Sequence, residues 1–310
     1  MRVTTTSYAD NLISQIQALA KRQSSLQTQV ATGQRIQTAE EDPLAMQQVL
    51  QLRDDSAASA QYANNIQTHQ EYASITGDLL KSLTKILDRA QELAVSADGT
   101  DSPETLKTYG VEVEQLIKQA LQIVNTQHRG EYLLGGTKTD AAPFTATTDT
   151  ENNVTSVSFS GNTAVAQSQI APGLLISSRI VGENSTGSGE RGLIADSRFG
   201  ADFFAHLINL QKQLSAGDLS SIAQTRADLK ADEDNVFYHV GDNAALQSRL
   251  EASLSMTQDN KLNVEGEISR RADADLPSTI VRLNQSQTSY QATLQSAASI
   301  LNLTLLDYLR

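Results

Sequence analysis

Positions spaced three and four apart from Ile280, namely Leu283, Gln287, Tyr290, Leu294, Ala297, Leu301, Thr304 and Tyr308, complete a series in which seven of nine side chains are apolar or aromatic. That spacing predicts a helix over 276–310 with one apolar seam. The seam runs to within two residues of the end of the sequence, so no later element is expected to cover it. Another segment must do so. Leu12, Ile16, Leu19, Gln23, Leu26 and Val30 repeat the same step after a polar lead from Arg2 to Asn11. Either stripe alone makes a helix of marginal stability, whereas two such helices bury each other. Paired terminal arms are therefore expected, the alternative being two ordinary amphipathic helices on one globular core.

Length and composition favour the arms. The 310 residues allow about two domains, but 5% aromatic content and no Trp argue against one large interior. Abundant Gln, Ala, Ser and Leu suit long helices with thin cores. The net charge of -12 is unevenly placed. Residues 1–38 hold Arg2, Lys21, Arg22 and Arg35 against Asp10, and 276–310 hold Arg282 and Arg310 against Asp307, which leaves -16 on the segment between them. So acidic a body does not attract phosphate backbones, and no nucleic-acid partner is expected. The absence of Cys excludes disulfides and thiolate metal sites. No secretory leader is read near Met1, and no apolar run approaches the roughly 20 residues that span a bilayer, so no membrane insertion is expected.

Along the chain, Gly33 suits a left-handed helix end and Asp42-Pro43 a cap and first turn. A helical pattern then runs from Leu44 to about Ala97, with Leu79, Leu83, Ile86, Ala90 and Leu93 its cleanest stripe. Asp98 to Pro103 breaks it, and a third helix carries Leu106, Tyr109, Val113, Leu116, Ala120 and Ile123 on one face. The glycines around Tyr132–Leu134 suit a short strand. Strand-like alternation follows at Thr145–Thr148 and Val154–Phe159, with a further run at Leu174–Val181. Helices resume at Asp202–Ser215 and from Leu219 to about Arg270. The expected fold is mainly α: an elongated long-helix bundle with paired N- and C-terminal coiled-coil arms and a small inserted antiparallel β domain. Its expected parts are an arm domain (1–43 plus 272–310), a helical rod (44–140 plus 195–271) and the β insertion (141–194).

No motif points to catalysis, a cofactor or a metal. Gly187-Ser-Gly-Glu-Arg-Gly192 has dinucleotide-binding spacing, but Glu183-Asn-Ser-Thr precedes it where a strand should stand, so a flexible loop is expected. His69, His128, His206 and His239 are far apart and lack zinc-helix spacing. Asp273 and Asp275 lack the rest of a calcium loop. Glu40–Asp42 and Asp232–Asp234 read as solvated helix ends. The serines have no evident base and orienting group. Arg35, beside Gly33 in the connector, either bridges carbonyls or carboxylates of a neighbouring subunit or faces solvent. Gln23 and Gln287 interrupt the seams, where a polar position can fix register.

Thr32-Gly-Gln-Arg-Ile-Gln-Thr-Ala-Glu-Glu-Asp-Pro-Leu44 resembles the N-terminal signature of the flagellin superfamily, and Ser299–Leu309 is similar to its C-terminal arm. Gly130-Glu-Tyr-Leu-Leu-Gly-Gly-Thr-Lys-Thr-Asp-Ala-Ala-Pro-Phe144 resembles the hook–filament junction proteins, the hook-associated protein 3 branch, more than filament flagellin. Pro43 departs from flagellin, where small residues are usual.

The resemblance implies a structural subunit outside the cell, exported unfolded through a type III flagellar channel, aided by an export chaperone. It implies as partners a preceding hook-associated protein and flagellin, with self-association in a ring or helical layer. Leu12, Ile16, Leu19, Leu26, Val30, Arg35, Ile280, Leu283, Gln287, Tyr290, Leu294 and Leu301 are the expected assembly interface. Filament flagellin and a coiled-coil chaperone or signalling adaptor are the rival readings.

Overall fold

The computed structural model describes residues 5–97 and 101–308, without the side chains of 5–9 and 300–308. Its elements in chain order are the helices α1 (Thr5–Thr32), α2 (Pro43–Ser96) and α3 (Pro103–Val124), nine short strands, and the helices α4 (Phe203–Ala216), α5 (Leu219–Ala272) and α6 (Leu276–Tyr308). The strands are β1 (Gln127–His128), β2 (Glu131–Tyr132), β3 (Phe144–Thr148), β4 (Val154–Phe159), β5 (Ser168–Ala171), β6 (Leu174–Ile176), β7 (Val181–Asn184), β8 (Gly192–Asp196) and β9 (Ala201–Asp202). The fold is mainly α with small sheets, as read from the sequence.

The helix ends follow their local chemistry. Gly33, at φ +72°, closes α1 in the left-handed region, where a side chain would be strained. Asp42 caps α2 by accepting from the Ala45 N–H at 3.0 Å, with Pro43 in the first turn. Ser102 does the same for α3 from Thr105. Of the break expected over Asp98–Pro103, residues 98–100 lie outside the described residues.

The chain divides into two compact units, Met1–Ser59 with Asp259–Arg310, and Ala60–Gln258. The second holds the large core. Within it α2 buries two adjacent stripes, Leu79, Leu83, Ile86, Ala90 and Leu93 on one and Leu80, Leu87 and Ala94 on the other. The buried line of α3 is Leu106, Gly110, Val113, Ile117, Ala120 and Val124, while Tyr109, Leu116 and Ile123 flank it. Its centre is turned from the predicted one because α4 approaches at Gly110, where a Cβ would lie 2.7 Å from Ser215 Oγ. Small residues, not large ones, mark that closest contact. Phe203, Phe204, Leu207, Ile208, Leu210 and Leu214 of α4 fill the space behind it.

The sheets pack on these helices. β1–β2, β3–β4 and β5–β6 are antiparallel pairs, and β7–β8–β9 is a three-stranded sheet whose β7–β8 pair is parallel. The strand expected at Tyr132–Leu134 stops at Tyr132, since Leu133 and Leu134 turn into the core. The run expected over Leu174–Val181 is two strands. Between them the chain leaves the ladder to bring Ser178 to His69 and Arg179 to Glu131. Glu183 and Asn184 belong to β7, so a strand does precede the glycine run, contrary to expectation. A strand, β8, also follows it, and no helix opens there to hold a pyrophosphate. Nor is the loop free: buried Asn184 donates to the carbonyls of Ser188 at 2.8 Å and Glu190 at 2.5 Å and accepts from the Thr186 N–H.

Candidate assembly interface

In the first unit α1 and α6 lie against each other and run antiparallel, since Gln34 bridges Asp273 while Leu19 and Arg22 share a notch with Arg282, Gln285, Ser286 and Ser289. Leu12, Ile16, Leu19, Gln23, Leu26 and Val30 form the more sheltered line of α1, with Leu26 buried at 8% exposure. The predicted spacing thus picks out the face of α1 turned to its partner.

On α6 the sheltered line is Thr279, Leu283, Ser286, Tyr290, Thr293 and Ala297. Hydroxyl-bearing residues recur in it every seven positions, and these small side chains allow close approach. Leu283 and Tyr290 belong to this line and Gln287 is half-buried beside it. Ile280 and Leu294 stand outside the joint at 45% and 41% exposure, next to Val281 at 66%. The side chains of Leu301, Thr304 and Tyr308 lie outside the described residues. Apolar periodicity finds large residues, and here small ones make the intrachain contact while part of the large set faces away.

Where the arms leave the long helices, the main chain ties them together. The Arg35 N–H donates to the Ala272 carbonyl at 2.6 Å, and the Ala274 N–H donates to the Gly33 carbonyl at 2.8 Å. Arg35 adds its side chain, donating from Nη2 to the Arg271 carbonyl at 2.8 Å with Nη1 3.5 Å from Asp42. Within the subunit, this guanidinium therefore joins the two connectors. Its sequence signal was the pairing with Gly33; its partner, 236 residues away, left none.

One cluster of catalytic residue types gave no sign in the sequence. His69 Nδ1 lies 2.7 Å from Ser178 Oγ, and its Nε2 contacts Ser168 Oγ. Burial, then the nearby Arg179 charge, lowers the His69 pKa. Both ring nitrogens are occupied by hydroxyls and neither by a carboxylate, so nothing orients the ring as a base. The arrangement pins the β5–β6 hairpin to α2. Arg179 in turn meets Glu131, whose carboxyl it holds below the usual range. Among the described residues, no cluster of three or more His, Cys, Asp or Glu could hold a metal, and no helix is long and apolar enough to cross a membrane.

Residues 3–139 match the bacterial flagellin N-terminal helical region. The matched stretch falls short of half of the 310 residues. The chain is 26% identical to flagellar hook-associated protein 3 of Salmonella typhimurium over 89% of its own length and 90% of the relative's. To the protein of the same name from Escherichia coli it is 30% identical over 37% of each chain. Two solved structures share its fold. A protein of Vibrio parahaemolyticus described as a flagellar hook-associated protein superposes with a TM-score of 0.64 at 18% identity, over 75% of this chain and all of that one. A flagellar hook-associated protein 3 from Legionella pneumophila gives 0.60 at 14%, over 72% and 98%. At these identities the structural likeness is one of fold.

Proposed function

We propose that this chain is a flagellin-superfamily protein and a structural subunit of the bacterial flagellum that joins the hook, through the adjacent hook-associated protein, to the flagellin filament. The observation that carries the reading is the similarity to hook-associated protein 3 along nearly the whole of both chains. The paired arms support it. Ile280, Val281 and Leu294 remain exposed outside the intrachain joint, as does Ile13 on α1, and apolar residues so placed suit packing against neighbouring subunits. Subunits then associate head to tail through heterologous contacts, closing into a ring or one helical layer.

In this reading Leu12, Ile16, Leu19, Leu26 and Val30 hold the arm together with Leu283 and Tyr290, while Ile280 and Leu294 serve neighbours. Gln287 sets register, and Arg35 fixes the departure of the arms. The arms (1–43 plus 272–310), the helical rod (44–140 plus 195–271) and the β insertion (141–194) act as separate parts. The subunit works outside the cell, reaching it with the help of an export chaperone, and its role is structural rather than enzymatic.

Light scattering of the purified chain under crowding salt, with and without sheared filament seeds, tests this. A chain that stays monomeric or stops at short rings, yet binds hook ends and lets flagellin grow from them, is the junction subunit. Long fibres from this chain alone identify a filament flagellin instead.

A further inference from the structure

The joint between α1 and α6 contains a notch of about 160 Å³ lined by Leu19 and Arg22 from one helix and Arg282, Gln285, Ser286 and Ser289 from the other. Every polar group on that lining can donate a hydrogen bond, and none carries negative charge. Neither Arg22 nor Arg282 pairs with a carboxylate among the described residues. The sequence explains why: residues 11–39 and 276–306 contain no Asp or Glu at all. Ser286 supplies an independent sign. It is 6% exposed, and its Oγ has no hydrogen-bond partner among the described residues. A buried hydroxyl left without a partner costs free energy that an incoming group recovers.

We infer that this notch is an anion site completed by the carboxylate of an Asp or Glu from a second copy of this chain. The inference rests on the proposed function, in which the arms pack against neighbours. Charge complementarity selects the occupant. The arms are short of acid, whereas the segment between them carries -16, so each copy offers its neighbours the group that their arms lack. Two guanidinium groups covered by an uncharged surface would lose hydration without compensation. A carboxylate instead accepts their N–H forks in charge-assisted hydrogen bonds, with the Gln285 amide and the two serine hydroxyls as further donors. The pairing also discriminates, because an arm seated one turn out of place leaves the two cations buried and unmatched.

The test uses the full chain docking on isolated hooks that carry the preceding hook-associated protein. Arg22→Gln combined with Arg282→Gln should leave helix content unchanged by circular dichroism. It should lower the amount docked at a given concentration at least tenfold and flatten the fall in docking with added NaCl. Docking equal to the parent chain, with the same salt dependence, overturns the inference. A parent chain that does not dock overturns the proposed function, and this inference with it. The occupant is read separately with Arg282→Lys, whose amine carbodiimide can couple to a carboxylate in the notch, using mixed ¹⁵N-labelled and unlabelled copies. An amide joining a labelled to an unlabelled copy at an Asp or Glu is expected. Coupling to a hook component, or no coupling in a docked assembly, overturns the second copy as occupant.

Discussion

Arg198 donates from Nε to Oδ1 of Asp196 at 2.9 Å and from Nη2 to Oδ2 at 2.6 Å, a two-pronged pairing across only two residues of chain. Asp196 is fully buried and also accepts from the main-chain N–H groups of Arg198 and Gly192. The carboxylate thus fastens the β8–β9 turn to the start of β8. Asp196→Asn keeps the shape but takes the charge from the buried acceptor of these four hydrogen bonds, and should cost about 2 kcal/mol, read as a lower urea midpoint with an unchanged slope.

The same carboxylate sets an acid limit. The Arg198 pairing, helped by the main-chain donors, holds the Asp196 pKa down at about 2 from an ordinary 3.8. The unfolded state takes up its proton first, so this contribution is complete above pH 4 and is lost as pH falls from about 4 to about 2. Acid titration followed by near-ultraviolet circular dichroism should show that loss in the parent chain and not in Asp196→Asn.

His239 acts in a higher window. It is buried, its Nε2 has no partner among the described residues, and burial holds its pKa at about 4 against an ordinary 6.5. The unfolded chain binds the extra proton between those values. Stability from this group therefore falls as pH drops from about 6.5 to about 4, and no further below that. Melting temperatures recorded across the window should fall less steeply in His239→Gln than in the parent chain.

Gly182 on β7 leaves no room for a side chain. A Cβ there would lie 2.7 Å from the Leu134 carbonyl oxygen and 2.9 Å from the rings of Phe144 and Phe159. Because one obstacle is main chain, it cannot swing aside. Gly182→Ala should destabilise by about 2 kcal/mol in chemical denaturation, and trimming the ring with Phe159→Leu should restore only part of that.

Arg35→Ala should act locally. Its guanidinium is partly exposed, so global stability should change by less than about 1 kcal/mol. Amide hydrogen exchange at Arg35 and Ala274 should nonetheless quicken severalfold. Arg35→Lys should not restore protection, since a single ammonium cannot span the Arg271 carbonyl and Asp42 as a fork does.

Helices were the most legible part of this chain, because Gly33, Asp42-Pro43 and Ser102-Pro103 punctuate it by local rules that do not depend on tertiary partners. The α1 line was legible for a related reason: its contact residues are also its large apolar ones. On α6 that correspondence fails. Thr279, Ser286 and Thr293 line the contact, and hydroxyl residues give no apolar period to detect. The run at Leu174–Val181 was misread because its interruption is set by His69 and Glu131, far off in the chain. The notch at Arg22 and Arg282 could have been suspected from the want of acid around it, but only the antiparallel pairing brings the two arginines together.

The hydrogen bonds from Arg35 to Ala272 and from Ala274 to Gly33 act as a tether at the base of both arms. Everything from α2 through α5 leaves and returns through that one point. Chain inserted or deleted in the β region changes the contour length of the excursion but not the spacing at the tether, and each doubling of a closed loop costs only about 0.6 kcal/mol of closure entropy. The excursion is thus free to vary in size and surface between relatives while the tethered ends keep a fixed gauge.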